Sequence, residues 1–337
     1  MKRYWIILGA ILLLSFSACK NNDKKYEGLG QELVKLCKEI DKNPKDAELY
    51  YQRATYYYEK GFIEKAMEDI STCIKLNDTK SKYYILLSDV YFAQKETDLT
   101  EEMLQKAIEK DPKNNEARLK LAELYFHLRM FKECNTILDE AIKNQTHNPK
   151  AHLIRAFCLK EQQDTVGALR MLQLVIDQDP TQVRAFLELG YYYQNKLDPI
   201  AISYYQNALN IDPNNVEINY NLAKLYQDLG EIEKAIEQYK ILLAINPNNI
   251  AALNNLGYIY LVDKDQYEEA ISIFTKAIEK DSLFVNAICN RGVAFENLKQ
   301  YENARQDYLY ANSIDETFEP AILGLNRLDK ITGNKKR

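Results

Sequence analysis

The apolar positions of this chain repeat in step over most of its length. Setting 34-residue blocks under one another gives eight units, beginning near Ala47, Ser81, Asn115, Pro149, Val183, Val216, Ile250 and Val285. Each holds two stretches with helical spacing of apolar residues, separated by a short polar turn. The eighth position is small throughout: Ala54, Ser88, Ala122, Ala156, Gly190, Ala223, Gly257 and Gly292. Roughly twelve residues on, a second small series reads Ala66, Thr100, Cys134, Ala168, Ala201, Ala235, Ala270 and Ala304. Between the two lies an aromatic, Tyr57, Tyr91, Tyr125, Tyr193, Tyr226, Tyr260 or Phe295, with Leu159 as the exception. A large residue between two small ones predicts interlocked helices, with the aromatic as the knob.

The breaks recur as well. Pro44, Pro112, Pro149, Pro180, Pro213 and Pro247 mark successive periods, in phrases such as IDPNN at 211–215 and INPNN at 245–249. Proline ends a helix by fixing φ and removing a donor, and an asparagine just after it can cap the next helix. The third unit is expected to carry extra turn residues around Gln145 to Asn148, where the proline spacing slips. Gln31–Asp41 predicts a helix with Leu33, Leu36, Cys37 and Ile40 on one face, capping the first unit. Pro320–Lys330 predicts a closing helix with Ile322, Leu325 and Leu328 inward and a polar outer face.

The pattern resembles the tetratricopeptide repeat, whose signature of Leu-Gly-x-x-Tyr, Ala-x-x-x-Phe and Pro is matched by LGYYY at 189–193, LGYIY at 256–260, AISYY at 201–205 and AISIF at 270–274. The resemblance implies an all-α fold, a right-handed superhelical solenoid of about eight helix-turn-helix repeats. The expected organisation is a leader over 1–18, a polar linker over 19–30, a capping helix over 31–45, eight repeats over 46–316 and a closing helix with tail over 317–337. In three units an arginine, Arg53, Arg155 or Arg291, replaces the Leu of the signature.

Composition changes this picture little. The 337 residues are 46% apolar and 28% charged, ordinary for a folded chain. A net charge of −5 and no basic stripe disfavour nucleic acid as a partner. The N-terminus adds more. Lys2 and Arg3 precede an apolar run from Tyr4 to Leu14, then Ser17, Ala18 and Cys19. That is a secretory signal layout with a run too short to span a bilayer. It resembles a bacterial lipoprotein signal, which implies a lipid on Cys19; by the sorting rule of such lipoproteins, Lys20 and not Asp after that cysteine implies the outer membrane, with the periplasmic face expected. The remaining cysteines, Cys37, Cys73, Cys134, Cys158 and Cys289, form no Cys-x-x-Cys motif and are read as small buried hydrophobes.

Catalytic signatures are missing from the sequence. The three histidines are scattered, GLG at 28–30 lacks the rest of a phosphate loop, and there is no nucleophile elbow. Acidic pairs such as Glu101–Glu102 and Glu268–Glu269 are placed at second-helix starts, where the helix dipole favours them. The expectation is a non-enzyme with no metal, cofactor or small-molecule substrate.

The aromatics are more informative. Of 25 tyrosines, about half fall on packing positions, among them Tyr205, Tyr239 and Tyr308. Resemblance to tetratricopeptide proteins implies a concave groove lined by first-helix positions two, five, nine and twelve. That places Tyr51, Tyr58, Phe92, Phe126, Phe157, Lys160, Tyr191, Gln194, Tyr220, Lys224, Asn254 and Tyr258 in a partner-binding groove, with Ile85, Leu119, Leu187 and Leu261 beside them. The expected function is a membrane-tethered adaptor that holds a peptide or helix of another protein. The alternative is a glycan-binding lipoprotein, since rings flanked by amides also suit sugars.

Overall fold

The computed structural model describes residues 30–333. The leader, Cys19, the spacer after it and the tail over 334–337 lie outside the described residues. The described chain is all α and divides into two compact units at Ala168/Leu169. The N-terminal unit holds α1 (Gln31–Lys42), α2 (Ala47–Glu59), α3 (Ile63–Leu76), α4 (Ser81–Ala93), α5 (Thr97–Lys110), α6 (Asn115–His127), α7 (Phe131–Asn144) and α8 (Pro149–Glu161). The division falls inside α9 (Thr165–Gln178). The C-terminal unit continues with α10 (Val183–Gln194), α11 (Ile200–Ile211), α12 (Val216–Asp228), α13 (Ile232–Ile245), α14 (Ile250–Val262), α15 (Tyr267–Lys280), α16 (Val285–Asn297), α17 (Tyr301–Ile314) and α18 (Glu319–Thr332). Within each unit, first and second helices form hairpins and each hairpin packs on the next.

The punctuation works locally. Asn114, Asn148, Asn215 and Asn249 each cap the following first helix, accepting from the backbone N–H three residues on at 2.9–3.1 Å. Five of the prolines stand three residues before a first helix, whereas Pro149 is the first residue of α8. The expected insertion in the third unit is therefore absent: its closing turn, 145–148, is as long as those at 77–80 and 111–114. The proline has moved, not the register. The seventh unit is the longer one, with its extra residue in the turn 263–266.

Every turn between a first and a second helix contains one residue with positive φ: Gly61, Lys95, Arg129, Gln163, Leu197, Gly230, Asp265 and Lys299. The left-handed residue lets the next N–H reach back to the helix, as Phe62 N does to Tyr57 O at 2.8 Å and Glu96 N to Tyr91 O at 3.0 Å. Six of these eight lack the freedom of glycine.

The core corrects the expected knob. In the C-terminal unit the ring sealed against the small eighth position comes from the second helix. Tyr205, Tyr239, Phe274 and Tyr308 are wholly buried, and a Cβ added at Gly190, Gly257 or Gly292 would lie 2.4, 2.7 or 2.9 Å from the ring of Tyr205, Phe274 or Tyr308. Of the first-helix aromatics, Tyr125 and Tyr226 are buried in the core as expected, but Tyr57, Tyr91, Tyr193, Tyr260 and Phe295 are only half-buried. They sit over the helix end, where the chain turns, and not in the joint itself. In the N-terminal unit the same second-helix position is aliphatic: Ile70, Leu104 and Leu138, also enclosed.

The arginines at the signature Leu position have partners. Arg53 grips Asp69 through two hydrogen bonds of 2.6 and 2.7 Å, and Arg291 grips Asp307 through two of 2.9 and 2.7 Å. These forked pairs occupy the first and last repeats. Arg155 reaches Asp139 at 2.6 Å. Glu268 and Glu269 lie in the first turn of α15, but Glu101 and Glu102 sit one turn further in, bonded to Gln105 and Lys106.

At the ends, α1 buries Leu33, Cys37 and Ile40. The closing helix is rotated from the expected setting. It buries Ala321, Gly324 and Leu328, leaving Ile322 37% exposed. Gly324 is the cause: a Cβ there would meet the Tyr308 ring at 2.6 Å, so the helix presents its glycine to that ring.

Candidate binding face

Each unit presents a face made by its first helices, and the two faces differ. In the N-terminal unit the twelfth positions of α2, α4 and α6 are Tyr58, Phe92 and Phe126. Phe92 is 49% exposed, while Tyr58 and Phe126 are half-buried. Phe126 lies 6.3 Å from Phe157 of α8, centroid to centroid. Tyr51 leans on Tyr83 at 5.3 Å, with the Lys82 ammonium 4.4 Å from the Tyr51 centroid. Lys160 is exposed at the far end.

A hollow of about 220 Å³ opens between Tyr58 and Phe92. Its floor is Ser88, Thr100 and Leu104, the small and aliphatic joint residues of the second repeat. An ion pair, Lys120 Nζ to Asp89 Oδ1 at 2.8 Å, stands in its wall. Burial works against the charge on Lys120, but the hydrogen bond and charge of Asp89, with the nearby Glu116, together outweigh it and hold the ammonium above its usual value. Burial likewise pushes the Tyr58 phenol up. Rings, an ion pair and a floor of small and aliphatic residues within one hollow can take an apolar side chain while bonding the polar backbone beside it.

In the C-terminal unit the designated residues are tied to their own scaffold. Tyr191 donates to Glu217 Oε1 at 2.6 Å. Gln194 accepts from the Tyr205 hydroxyl, and Lys224 is paired with Asp228. Asn255 Nδ2 donates to the hydroxyls of Tyr220 and Tyr239, both at 3.1 Å, and Asn290 Nδ2 donates to Asn254 Oδ1 at 3.3 Å. Tyr258, 42% exposed, is the open ring among them.

Four positions expected in the groove, Ile85, Leu119, Leu187 and Leu261, are buried. Each belongs to a hydrophobic core cluster, so they serve the core. Lys120, Asn255 and Asn290 were missed, although each is the sixth residue of its first helix, four after the second position and three before the ninth, and so shares their side. Among the described residues, no group of three or more His, Cys, Asp or Glu is placed to hold a metal. No described helix is long and apolar enough to cross a membrane.

Hairpins of fixed length, small-to-large joints and left-handed turns define a helical-repeat scaffold. A family profile described as Tetratricopeptide repeat protein 21 N-terminal ARM repeat matches residues 122–325, more than half the chain, and a Tetratricopeptide repeat profile matches 47–80 and 81–114. The chain belongs to the tetratricopeptide-repeat family. It is similar to the BBSome complex member BBS4 homolog of Drosophila melanogaster, 22% identical over 53% of this chain and 38% of that protein. It is also similar to Hsp70-Hsp90 organizing protein 2 of Arabidopsis thaliana, 39% identical over 23% of this chain and 14% of that protein. The chain thus spans less than half the length of these curated relatives. In fold it is similar to the C-terminal part of a TPR repeat-containing protein from Cytophaga hutchinsonii, with a TM-score of 0.61 and 17% identity over 71% of this chain and 98% of that one.

Proposed function

We propose that this protein is an adaptor that holds a peptide or helical segment of a partner protein on the first-helix face of its N-terminal unit. The observation that carries this is the aromatic row Tyr58, Phe92 and Phe126, of which Tyr58 and Phe92 line the Asp89–Lys120 hollow. Rings open to solvent, as Phe92 is, are usual anchors of a protein interface. The relatives named above as an organizing protein and as a complex member support a role in assembling other proteins. Lys82 and Lys120 are each drawn to a neighbouring carboxylate, Glu48 or Asp89, so the face offers paired charges and not a cationic clamp. The segment it suits is therefore one with apolar anchors, not an acidic tail.

We further propose that Cys19 carries a lipid tethering the protein to the bacterial envelope, at the outer membrane and facing the periplasm. The support is the sequence from Lys2 to Cys19, a basic start, an 11-residue apolar run and a small-small-Cys ending. Tethering raises the effective concentration of partners on the same surface.

Capture of partners from solubilised membranes on residues 20–337 tests the binding face. The Tyr58→Ala, Phe92→Ala, Phe126→Ala variant is expected to retain less than a tenth of the partner held by the wild type. Equal capture rejects the assignment, and a strong signal on a glycan array replaces it with sugar binding. For the tether, Cys19→Ala should move the protein from the membrane to the soluble fraction; an unchanged membrane pool refutes lipidation.

A further inference from the structure

We propose that Cys134 and Cys158 form a disulfide that staples the third repeat to the fourth. The two sulfurs, one on α7 and one on α8, stand 3.1 Å apart, and both residues are shielded from solvent. About 1 Å of closure brings them to the roughly 2.05 Å of an S–S bond. The sequence treated the cysteines as interchangeable small hydrophobes. The fold separates this pair from the rest: Cys37, by contrast, accepts from Arg53 Nη1 at 3.4 Å.

The placement is also unusual within the repeat. At the position of Cys134 six of the eight units carry alanine, so a methyl group fills the slot. At the position of Cys158, other units carry Val90, Leu124, Leu225 and Ile259. Packing calls for no sulfur at either place, yet both cysteines occur at one joint, facing each other.

Their surroundings favour reaction. Arg155 lies one turn before Cys158, and its guanidinium stabilises negative charge at both sulfurs. Its buried Nε has no hydrogen-bond partner among the described residues. The contact between the two sulfurs, in which either can donate, pulls the Cys158 thiol down and, together with burial, pushes Cys134 up, while Cys134 Sγ also donates to the Ala122 carbonyl at 3.2 Å. This asymmetry favours Cys158 as the attacking thiol and Cys134 as the resolving one, and the reverse order gives the same bond.

The oxidant is a disulfide such as glutathione disulfide. The Cys158 thiolate attacks one of its sulfurs, forming a mixed disulfide and expelling one glutathione thiolate. Cys134, losing its proton, then attacks Cys158 Sγ, forming the internal bond and expelling the second. The two glutathione thiolates take up the two protons lost by the protein, so one disulfide is reduced as the other forms. Because both sulfurs are enclosed, exchange takes place while α7 and α8 are still coming together, or when that joint opens.

The test is to unfold the full chain under reduction, refold it in a glutathione redox buffer, alkylate free thiols and map peptides by mass spectrometry. The expected result is a 134–158 linked peptide and a loss of two free thiols, absent in Cys134→Ala and Cys158→Ala. Alanine at 134 is the residue other repeats use, and circular dichroism checks that both variants fold. Oxidised wild type should also melt higher than the same protein in dithiothreitol, with no such difference in the variants. Alkylation of Cys134 and Cys158 to the same extent as Cys37, Cys73 and Cys289, or linkage to one of those instead, overturns the proposal.

Discussion

The N-terminal unit joins its helix pairs with aliphatic residues on Ala or Ser, while the C-terminal unit mostly joins them with rings on Gly. Ile70, Leu104 and Leu138 take the place held further on by Tyr205, Tyr239, Phe274 and Tyr308. The choice at the joint decides what the surface can do. A tyrosine reaches through the joint and needs a partner for its hydroxyl, and the twelfth first-helix residue supplies it. Tyr239 donates to Gln227 at 3.0 Å and Tyr308 to Glu296 at 2.6 Å. Phe274 has no hydroxyl, and the twelfth residue of its repeat is the buried Leu261. With an aliphatic joint the twelfth position is released, and there the N-terminal unit displays Tyr58, Phe92 and Phe126. Core chemistry and binding chemistry are thus set at one place in the repeat.

Four measurements sharpen or break this contrast. The largest effect is expected from Tyr308→Ala, which empties a ring site closed on two sides by Gly292 and Gly324. It should cost about 3–5 kcal/mol in denaturant unfolding, while Leu138→Val in the other unit should cost about 1 kcal/mol. A loss of similar size in both would mean that the joints are equivalent. Next, Gly257→Ala should cost about 1–3 kcal/mol, since its Cβ meets the Phe274 ring. Adding Phe274→Leu imports the N-terminal pairing and should recover most of that loss; purely additive losses would refute the pairing.

The third is a pH effect. Burial raises the Glu296 carboxyl, but its bonds with Arg327 and Tyr308 win and hold it below the ordinary 4.5. A depressed value means the stabilisation is complete above 4.5 and disappears as pH falls through the folded value. Glu296→Gln should therefore flatten the acid side of the stability profile below about pH 4.5, and an unaltered profile would remove Glu296 from the network. The smallest effect belongs to the turns shared by both units. Lys95→Gly relieves a positive φ and should gain roughly 0.5 kcal/mol, whereas Gly230→Ala should lose about 1 kcal/mol. A loss at Lys95 would show that its side chain, and not its backbone, matters.

Much of the fold was legible because its signals are periodic and local. The small eighth residues, the proline-asparagine turns and the first-helix starts follow from short-range rules. What could not be read was which helix supplies the ring. Tyr193 and Tyr205 are both aromatic and both on packing positions, and only the close approach at Gly190 separates them. The candidate face was legible as positions but not as environments. Tyr58 and Gln194 hold the same place in their repeats, yet one borders a hollow and the other is taken by Tyr205. Side-chain pairing across a joint carries no periodic signature, and neither does the meeting of Cys134 with Cys158.

The forked arginine–aspartate grips have a practical implication for shortening the molecule. Arg53–Asp69 and Arg291–Asp307 are each contained within one hairpin, with Arg291 donating also to Thr275 of the seventh repeat at 3.1 Å, so the outermost repeats carry their own clasps. Excising whole interior periods would leave both clasps intact, which makes the two outer hairpins ready-made terminal pieces for trimmed versions of this array.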